Sequence, residues 1–408
     1  DAAGNPVRPA PISAKPSVPG KTLMLTIDLP TQRALTRALR DVEGSLANPS
    51  GAAGVALDPR TGEVLAIASL PTFNPAAFAD GHAREVQRIV FGPGQRTINR
   101  AISGQYPPGS TFKAITAAAG MEEGVIGAGE TIFSPGLIKL HGQTFKGFNE
   151  TPWGDITVPY ALRVSSDTFF YQVGEKFYTR DPSGRSTPIQ DWARHFGLGK
   201  RTGIDLAGEQ SGILPDIAYK RAHFSLSPDP GLHVWLPGDD IQMATGQGYV
   251  LATPIQMAVA YAAIANGGTV VTPTLGRAIL SPDGGVLRDL LKGRPTRALG
   301  VSPAVLDVIR SGLYSAANEI NGTSVQVFGG LPATAKVAGK TGTAENPQGL
   351  DHSWFVGYAP YNDPKIVVAV IVEHGGQGAN AAAPVVCKTI AARLRFSPNL
   401  CGTGARID

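Results

Sequence analysis

The sequence predicts an α/β protein of the α+β kind, with a central, mainly antiparallel sheet formed by both chain ends, flanked by helices and interrupted by a large helical subdomain. Three observations predict it. Residues 54–69 (GVALDPRTGEVLAIAS) read as two strands joined by the turn Asp58-Pro59-Arg60-Thr61-Gly62. Strand character returns near the other end, where Lys336 to Ala344, Ser353 to Ala359 and Ile366 to Glu373 are β-rich and separated by short loops. Between them, from about 110 to 270, lie mainly helical patches broken by Gly and Pro.

In chain order, residues 6–19 (PVRPAPISAKPSVP) are Pro-rich and predict an extended, semi-rigid connector. Asp28 can cap a helix whose Leu35, Leu39, Val42 and Leu46 recur at three- and four-residue spacing, so that helix should lie on the sheet. The stretch from Ile241 to Gly276 carries no charge, but Thr245, Gln247, Pro254, Gln256 and Asn266 interrupt it; a buried helix fits better than a membrane span. Ala382 to Leu394 reads as a last helix on the sheet. Trp354 and Phe355 alternate sides of a strand and are assigned to core packing. Asp239-Asp240 reads as a solvated loop, and residues 345–351 (ENPQGLD) as a mobile loop after a strand.

Composition narrows function by exclusion. The 408 residues are 42% apolar and 17% charged, which gives ample material for a core and rules out disorder throughout. The net charge of +4 comes without any run of five like charges, so nothing suggests a nucleic-acid groove. Cys387 and Cys401 can close a loop of about fifteen residues, worth roughly 3 kcal/mol in an oxidising compartment, or be one core thiol and one tail thiol.

Metal and nucleotide chemistry fail on spacing. His82, His141, His195, His223, His233, His352 and His374 never fall at His-x3-His or His-Glu-x2-His spacing, and the cysteines form no C-x2-C pair. Gly339-Lys340-Thr341 imitates the end of a phosphate loop, yet the pattern requires glycine at 334, where the chain has Thr334.

Serine nucleophiles remain. Tyr106-Pro107-Pro108-Gly109-Ser110-Thr111-Phe112-Lys113 puts Ser110 where a helix begins, with Lys113 one turn on along the same face. A helix start offers the Ser110 N–H as an oxyanion donor. A lysine acts as a base near neutral pH only when burial or a neighbouring cation lowers its pKa. Ser165-Ser166-Asp167 is a weaker signal, because Ser281-Pro282-Asp283 shares its spacing in what looks like a turn. Lys340-Thr341-Gly342-Thr343 lies in an edge-capable strand; its lysine and hydroxyls can hold a carboxylate, and its glycine lets a backbone approach.

The conjunction decides. Ser-x-x-Lys, then Ser-x-Asp, then Lys-Thr-Gly, in that order, is the motif set of penicillin-binding proteins and serine β-lactamases. From about Leu23 to Leu394 the chain resembles a class B penicillin-binding protein transpeptidase. YPPGSTFK, FGLGKRTGIDLAGEQSGILP, TGQGYVLATPIQMA, AGKTGTAE and DHSWFVGYAP resemble the elongation type, penicillin-binding protein 2.

The resemblance implies a β-lactamase-like fold over residues 23–396. Residues 1–22 would be the remnant of a pedestal domain and linker, and residues 397–408 a tail. It implies a D,D-transpeptidase acting through a Ser110 acyl-enzyme, with Lys113 as base, Ser165 as proton relay, Asp167 as orienting group and Lys340 as the positive charge that depresses Lys113. Thr341, Gly342, Thr343 and Tyr106 would bind substrate, and the N–H groups of Ser110 and Thr343 would form the oxyanion hole. Tyr106 also has a plainer reading, as a cover over the helix start.

Implied partners are donor and acceptor stem peptides of peptidoglycan, β-lactams, an elongation glycosyltransferase and scaffold complex, and the membrane through an anchor missing from the front. The domain would face the periplasm, where a disulfide between Cys387 and Cys401 is easier to accept. No cofactor is implied. Some elongation-type members hold zinc near the second motif; here that stretch lacks histidine and Ser166 stands in place of a cysteine, so zinc is expected absent and Asp155 is expected to cap a turn or helix. The alternatives are a D,D-carboxypeptidase or serine β-lactamase, or a non-catalytic penicillin sensor or scaffold.

Overall fold

The computed structural model describes residues 19–46, 50–346 and 349–404. Most of the Pro-rich connector lies outside them. The centre is a fully antiparallel five-stranded sheet in the order Ala338–Ala344, His352–Ala359, Ile366–Val372, Ala52–Leu57, Val64–Leu70. Both chain ends build it: Val372 pairs with Ala52, while Lys340 opposes Val356 on the outermost pair. The 54–69 turn forms as expected, with the Asp58 carboxylate accepting from the Arg60 backbone N–H at 2.9 Å and Gly62 at φ +76°.

The strands bury both faces, so they read as near-continuous apolar runs. On one face the Leu29–Glu43 and Ala382–Arg393 helices pack over Leu65, Val368, Val370 and Phe355. Asp28 caps the first of them, accepting from the Thr31 N–H at 3.1 Å. On the other face lies the Pro254–Ala265 helix, buried along its whole length and started by a Thr253–Gln256 capping box. Trp354 faces this second core and Phe355 the first, as their alternation predicts. A disulfide joins Cys387 on the last helix to Cys401 beyond it.

Four expectations need correction. The charge-free stretch 241–276 is not one helix, because Gly246 and Gly248, at φ +74° and +73°, break the chain between Pro237–Met243 and Pro254–Ala265. The centre also holds two small sheets, Ile132–Ser134 with Gly154–Ile156 and Leu137–Leu140 with Gln143–Lys146. Strands of three or four residues carry too little alternation to read; only the His141-Gly142 turn, with both φ positive, marks the second hairpin. Asp155 caps nothing: it is exposed in one of these strands, opposite Phe133. Asp239 and Asp240 sit in the first turn of the Pro237–Met243 helix, where Asp239 pairs with buried Lys220 at 2.7 Å and Asp240 is buried. Burial pushes the Asp240 carboxyl up to about 7.

Candidate active site

Gly109–Phe112 makes one tight 3-10 turn that runs into the Lys113–Glu122 helix. Gly109 has φ +52°, and a Cβ there would stand 2.6 Å from the Thr343 carbonyl oxygen. Only glycine lets this turn lie against the edge strand. Gly246 supports it from behind: the Gly109 N–H donates to the Gly246 carbonyl at 2.9 Å. Ser110 is thereby held half-exposed in the wall of a cavity of about 420 Å³, together with Ser165, Asp167, Thr341 and Thr343.

Lys113 is fully buried beneath it. Its Nζ donates to the Ser165 carbonyl at 2.8 Å, to Ser165 Oγ at 3.4 Å and to Asp167 Oδ1 at 2.5 Å. Among the described residues it is bonded to these groups and not to Ser110. The second motif is a helix-to-helix corner. Ser165 ends the Val158–Val164 helix in the left-handed region at φ 57°, and Ser166 caps the Asp167–Arg180 helix by accepting from the Phe169 N–H at 3.2 Å. A left-handed serine costs about 1–2 kcal/mol, the sort of strain that persists where the surrounding structure fixes a functional side chain. Ser166 Oγ also meets Ser134 Oγ at 2.7 Å.

Burial lowers the Lys113 pKa, and the Asp167 charge and hydrogen bond oppose it. Lys340, fully buried on the edge strand, is pushed well down, first by burial and then by the charge of Lys113. The like-charge effect expected on Lys113 therefore acts on Lys340, while burial does the work on Lys113. Lys340 Nζ donates to the Thr341 carbonyl at 3.2 Å, and Thr341 Oγ1 donates to Thr323 Oγ1 at 2.9 Å.

Two predicted substrate residues have other work. A Cβ on Gly342 would meet Trp354 Cβ at 2.8 Å, Thr111 Cγ2 at 2.9 Å and the Pro108 oxygen at 3.0 Å, so its missing side chain admits the turn that carries Ser110. Tyr106 is buried, donates its hydroxyl to Glu373 at 2.7 Å and lies edge-on to Trp354; it does not line the cavity, and the plainer reading is the one its position fits. Arg100 Nε holds the same Glu373 oxygen at 2.8 Å. Residues not singled out from sequence complete the cavity: Gln247, Thr323, Tyr171, Phe148 and Asn380. Gln247 Nε2 donates to the Thr343 carbonyl at 3.2 Å. Its signal was the pair of glycines bracketing it in TGQG. Glu345 and Asp351 line the same cavity; positions 347 and 348 between them lie outside the described residues.

A buried lysine held between Ser165 and Asp167 under a half-buried serine, beside the edge strand of the sheet, is an arrangement that suits activation of a serine nucleophile. Residues 52–391 match the penicillin binding protein transpeptidase domain, and the chain belongs to that family. Among particular relatives it is 35% identical over 400 residues to the peptidoglycan D,D-transpeptidase MrdA of Haemophilus influenzae, covering 93% of this chain and 57% of that protein. The chain thus spans a little over half the length of the curated relatives it matches. A structure described as coordinating polymerization and crosslinking by a peptidoglycan synthase complex matches with TM-score 0.79 and 35% identity, over 93% of this chain and 64% of that one. The penicillin G acyl-enzyme of penicillin-binding protein A from M. tuberculosis matches with TM-score 0.75 and 28% identity, over 92% and 81%.

Proposed function

We propose that this chain is the catalytic part of a peptidoglycan D,D-transpeptidase of cell-wall elongation. The observation that carries the reading is the placement of Lys113 Nζ, fully buried, between Ser165 and Asp167 at the foot of the cavity that Ser110 lines. A desolvated lysine is a base near neutral pH. Lys113 takes the Ser110 proton as Oγ attacks the carbonyl between the two terminal D-alanines of a donor stem peptide. Ser165 relays a proton to the departing D-alanine, and Asp167 holds Lys113 and Ser165 in place. Thr341 and Thr343 bind the donor carboxylate, while the N–H groups of Ser110 and Thr343 face the oxyanion. An amine of a second stem peptide then takes the acyl group, forming the crosslink.

β-Lactams would acylate the same serine, as penicillin G does in the M. tuberculosis relative. By the same likeness the domain works on the periplasmic face of the inner membrane, anchored through a preceding segment, with an elongation glycosyltransferase and scaffold as partners; the match to a peptidoglycan synthase complex supports this. Mass spectrometry after β-lactam exposure tests the nucleophile. The expected result is one adduct on the peptide containing Ser110, lasting for hours. No adduct would overturn the assignment, and release within seconds would make the protein a hydrolase.

A further inference from the structure

A second cavity, of about 260 Å³, lies remote in sequence from all three motifs and shares no lining residue with the first. It opens between the end of the Pro188–Phe196 helix and the two-stranded sheet of Thr269–Val271 and Thr296–Ala298. Lys200, Arg201 and Arg297 line it, and no lining residue is acidic. None of the three makes an ion pair among the described residues. Arg297 has one hydrogen bond, from Nη2 to the Arg194 carbonyl at 3.2 Å.

The loop that carries two of these cations is fixed by buried polar groups. Gln256, fully buried, donates from Nε2 to the Lys200 carbonyl at 2.8 Å and to the Ser211 carbonyl at 2.7 Å. Asp205, the acid nearest in chain, accepts from the Leu275 N–H at 2.8 Å, the Gly276 N–H at 3.0 Å and the Thr274 hydroxyl at 2.9 Å. Glu209 is buried, and its carboxylate accepts from the Thr202 N–H at 2.6 Å, the Thr202 hydroxyl at 2.5 Å and the Gly203 N–H at 3.2 Å. It holds the backbone in place and, among the described residues, pairs with none of the three cationic heads. Gly197 and Gly203, at φ +101° and +84°, let the chain turn tightly around the opening. The arrangement brings like charges together at a concave surface, which costs free energy unless an anion occupies it. Lys200 is pushed down by partial burial and by Arg297, in keeping with that cost.

We propose that this cavity binds a phosphate-bearing ligand through Lys200, Arg201 and Arg297. Two guanidinium forks and an ammonium suit the several oxygens and the double charge of a phosphate group better than a single carboxylate. The inference does not depend on the reaction assigned to Ser110.

The test titrates the purified chain with inorganic phosphate and with pyrophosphate at constant ionic strength, reading thermal stability. A saturable, phosphate-specific rise in Tm is expected, because a ligand that binds only the folded state stabilises it. The Lys200→Gln/Arg201→Gln double variant changes two exposed side chains, and Arg297→Gln changes the third cation. Each should weaken apparent affinity by about tenfold or more, the scale of a lost charge-assisted hydrogen bond. Both should keep wild-type acylation at Ser110, which shows that they fold. Flotation with phosphatidylglycerol vesicles against phosphatidylcholine vesicles assigns the source. Variant-sensitive binding to the anionic vesicles identifies a lipid headgroup, and a phosphate response without flotation identifies a soluble ligand. No phosphate-specific response in either arm, or one that the variants retain, overturns the proposal.

Discussion

Gly246→Ala should disable Ser110 without touching any group that meets the substrate. Gly246 has φ +74°, and a Cβ placed on it would stand 2.2 Å from the Gly109 oxygen and 2.7 Å from Phe112 Cβ. Ordinary van der Waals separation is near 3.5 Å, so the turn carrying Ser110 must retreat by roughly 1 Å. A misplacement of that size costs on the order of 100-fold in rate. The left-handed backbone alone costs about 1–2 kcal/mol for a non-glycine residue. Gly267→Ala separates the two effects, since Gly267 has φ +83° but a Cβ added there would meet nothing within 4 Å. Stopped-flow acylation by a fluorescent penicillin, with thermal melts of both variants, reads the difference. Both should lose stability, but only Gly246→Ala should lose acylation by about two orders of magnitude. Equal acylation rates in the two variants would refute the idea that this glycine contact positions the nucleophile.

Three further outcomes follow from buried charge and the crosslink. Lys340→Met should abolish acylation while raising stability by about 1–4 kcal/mol, because a fully buried ammonium without a carboxylate partner is replaced by an apolar chain of similar length. Lys340 is depressed in the folded state, which then binds fewer protons than the unfolded chain; wild-type stability gains from this residue as pH rises through that window, so the variant's advantage is largest at low pH in denaturant melts. Asp240 is the opposite case. Its carboxyl is raised to about 7, so the folded state holds the proton longer and stability falls from about pH 4 to pH 7, by up to about 1.4 kcal/mol per pH unit. Asp240→Asn should flatten that slope, and an unchanged slope would discount the residue. Cys401→Ser should cost about 3 kcal/mol, with dithiothreitol producing the same loss in the wild type and none in the variant.

The sheet was legible because its strands are long, apolar and marked by the Asp58–Gly62 turn, and because the helices on it repeat at three and four residues. The small sheets of the centre were not, since pairing over three residues depends on partners far along the chain. Ser110, Lys113 and Lys340 were legible as motif letters. What the letters do was less so. Gly342 and Tyr106 were assigned to substrate, but their neighbours are Thr111, Pro108, Trp354 and Glu373, which no local pattern reveals. The Ser165-x-Asp167 spacing was a weak signal because ordinary turns share it; what distinguishes it is the left-handed backbone of Ser165, which aims its carbonyl and hydroxyl at Lys113. Asp239 and Asp240 read as solvated because the sequence does not show Lys220 arriving from another helix.

The pairing of Ala52–Leu57 with Ile366–Val372 also sets a timetable for biogenesis. The first hairpin leaves the ribosome about 300 residues ahead of the strand that completes it, on the order of 15–60 s at ordinary elongation rates. For that interval an apolar strand offers an open edge to any other extended chain. Until the last strand is delivered, that edge is the part of the nascent sheet open to mispairing. A chain stopped anywhere before residue 366 leaves that edge permanently unpaired, because the strand that joins the two halves of the sheet is the last to be made.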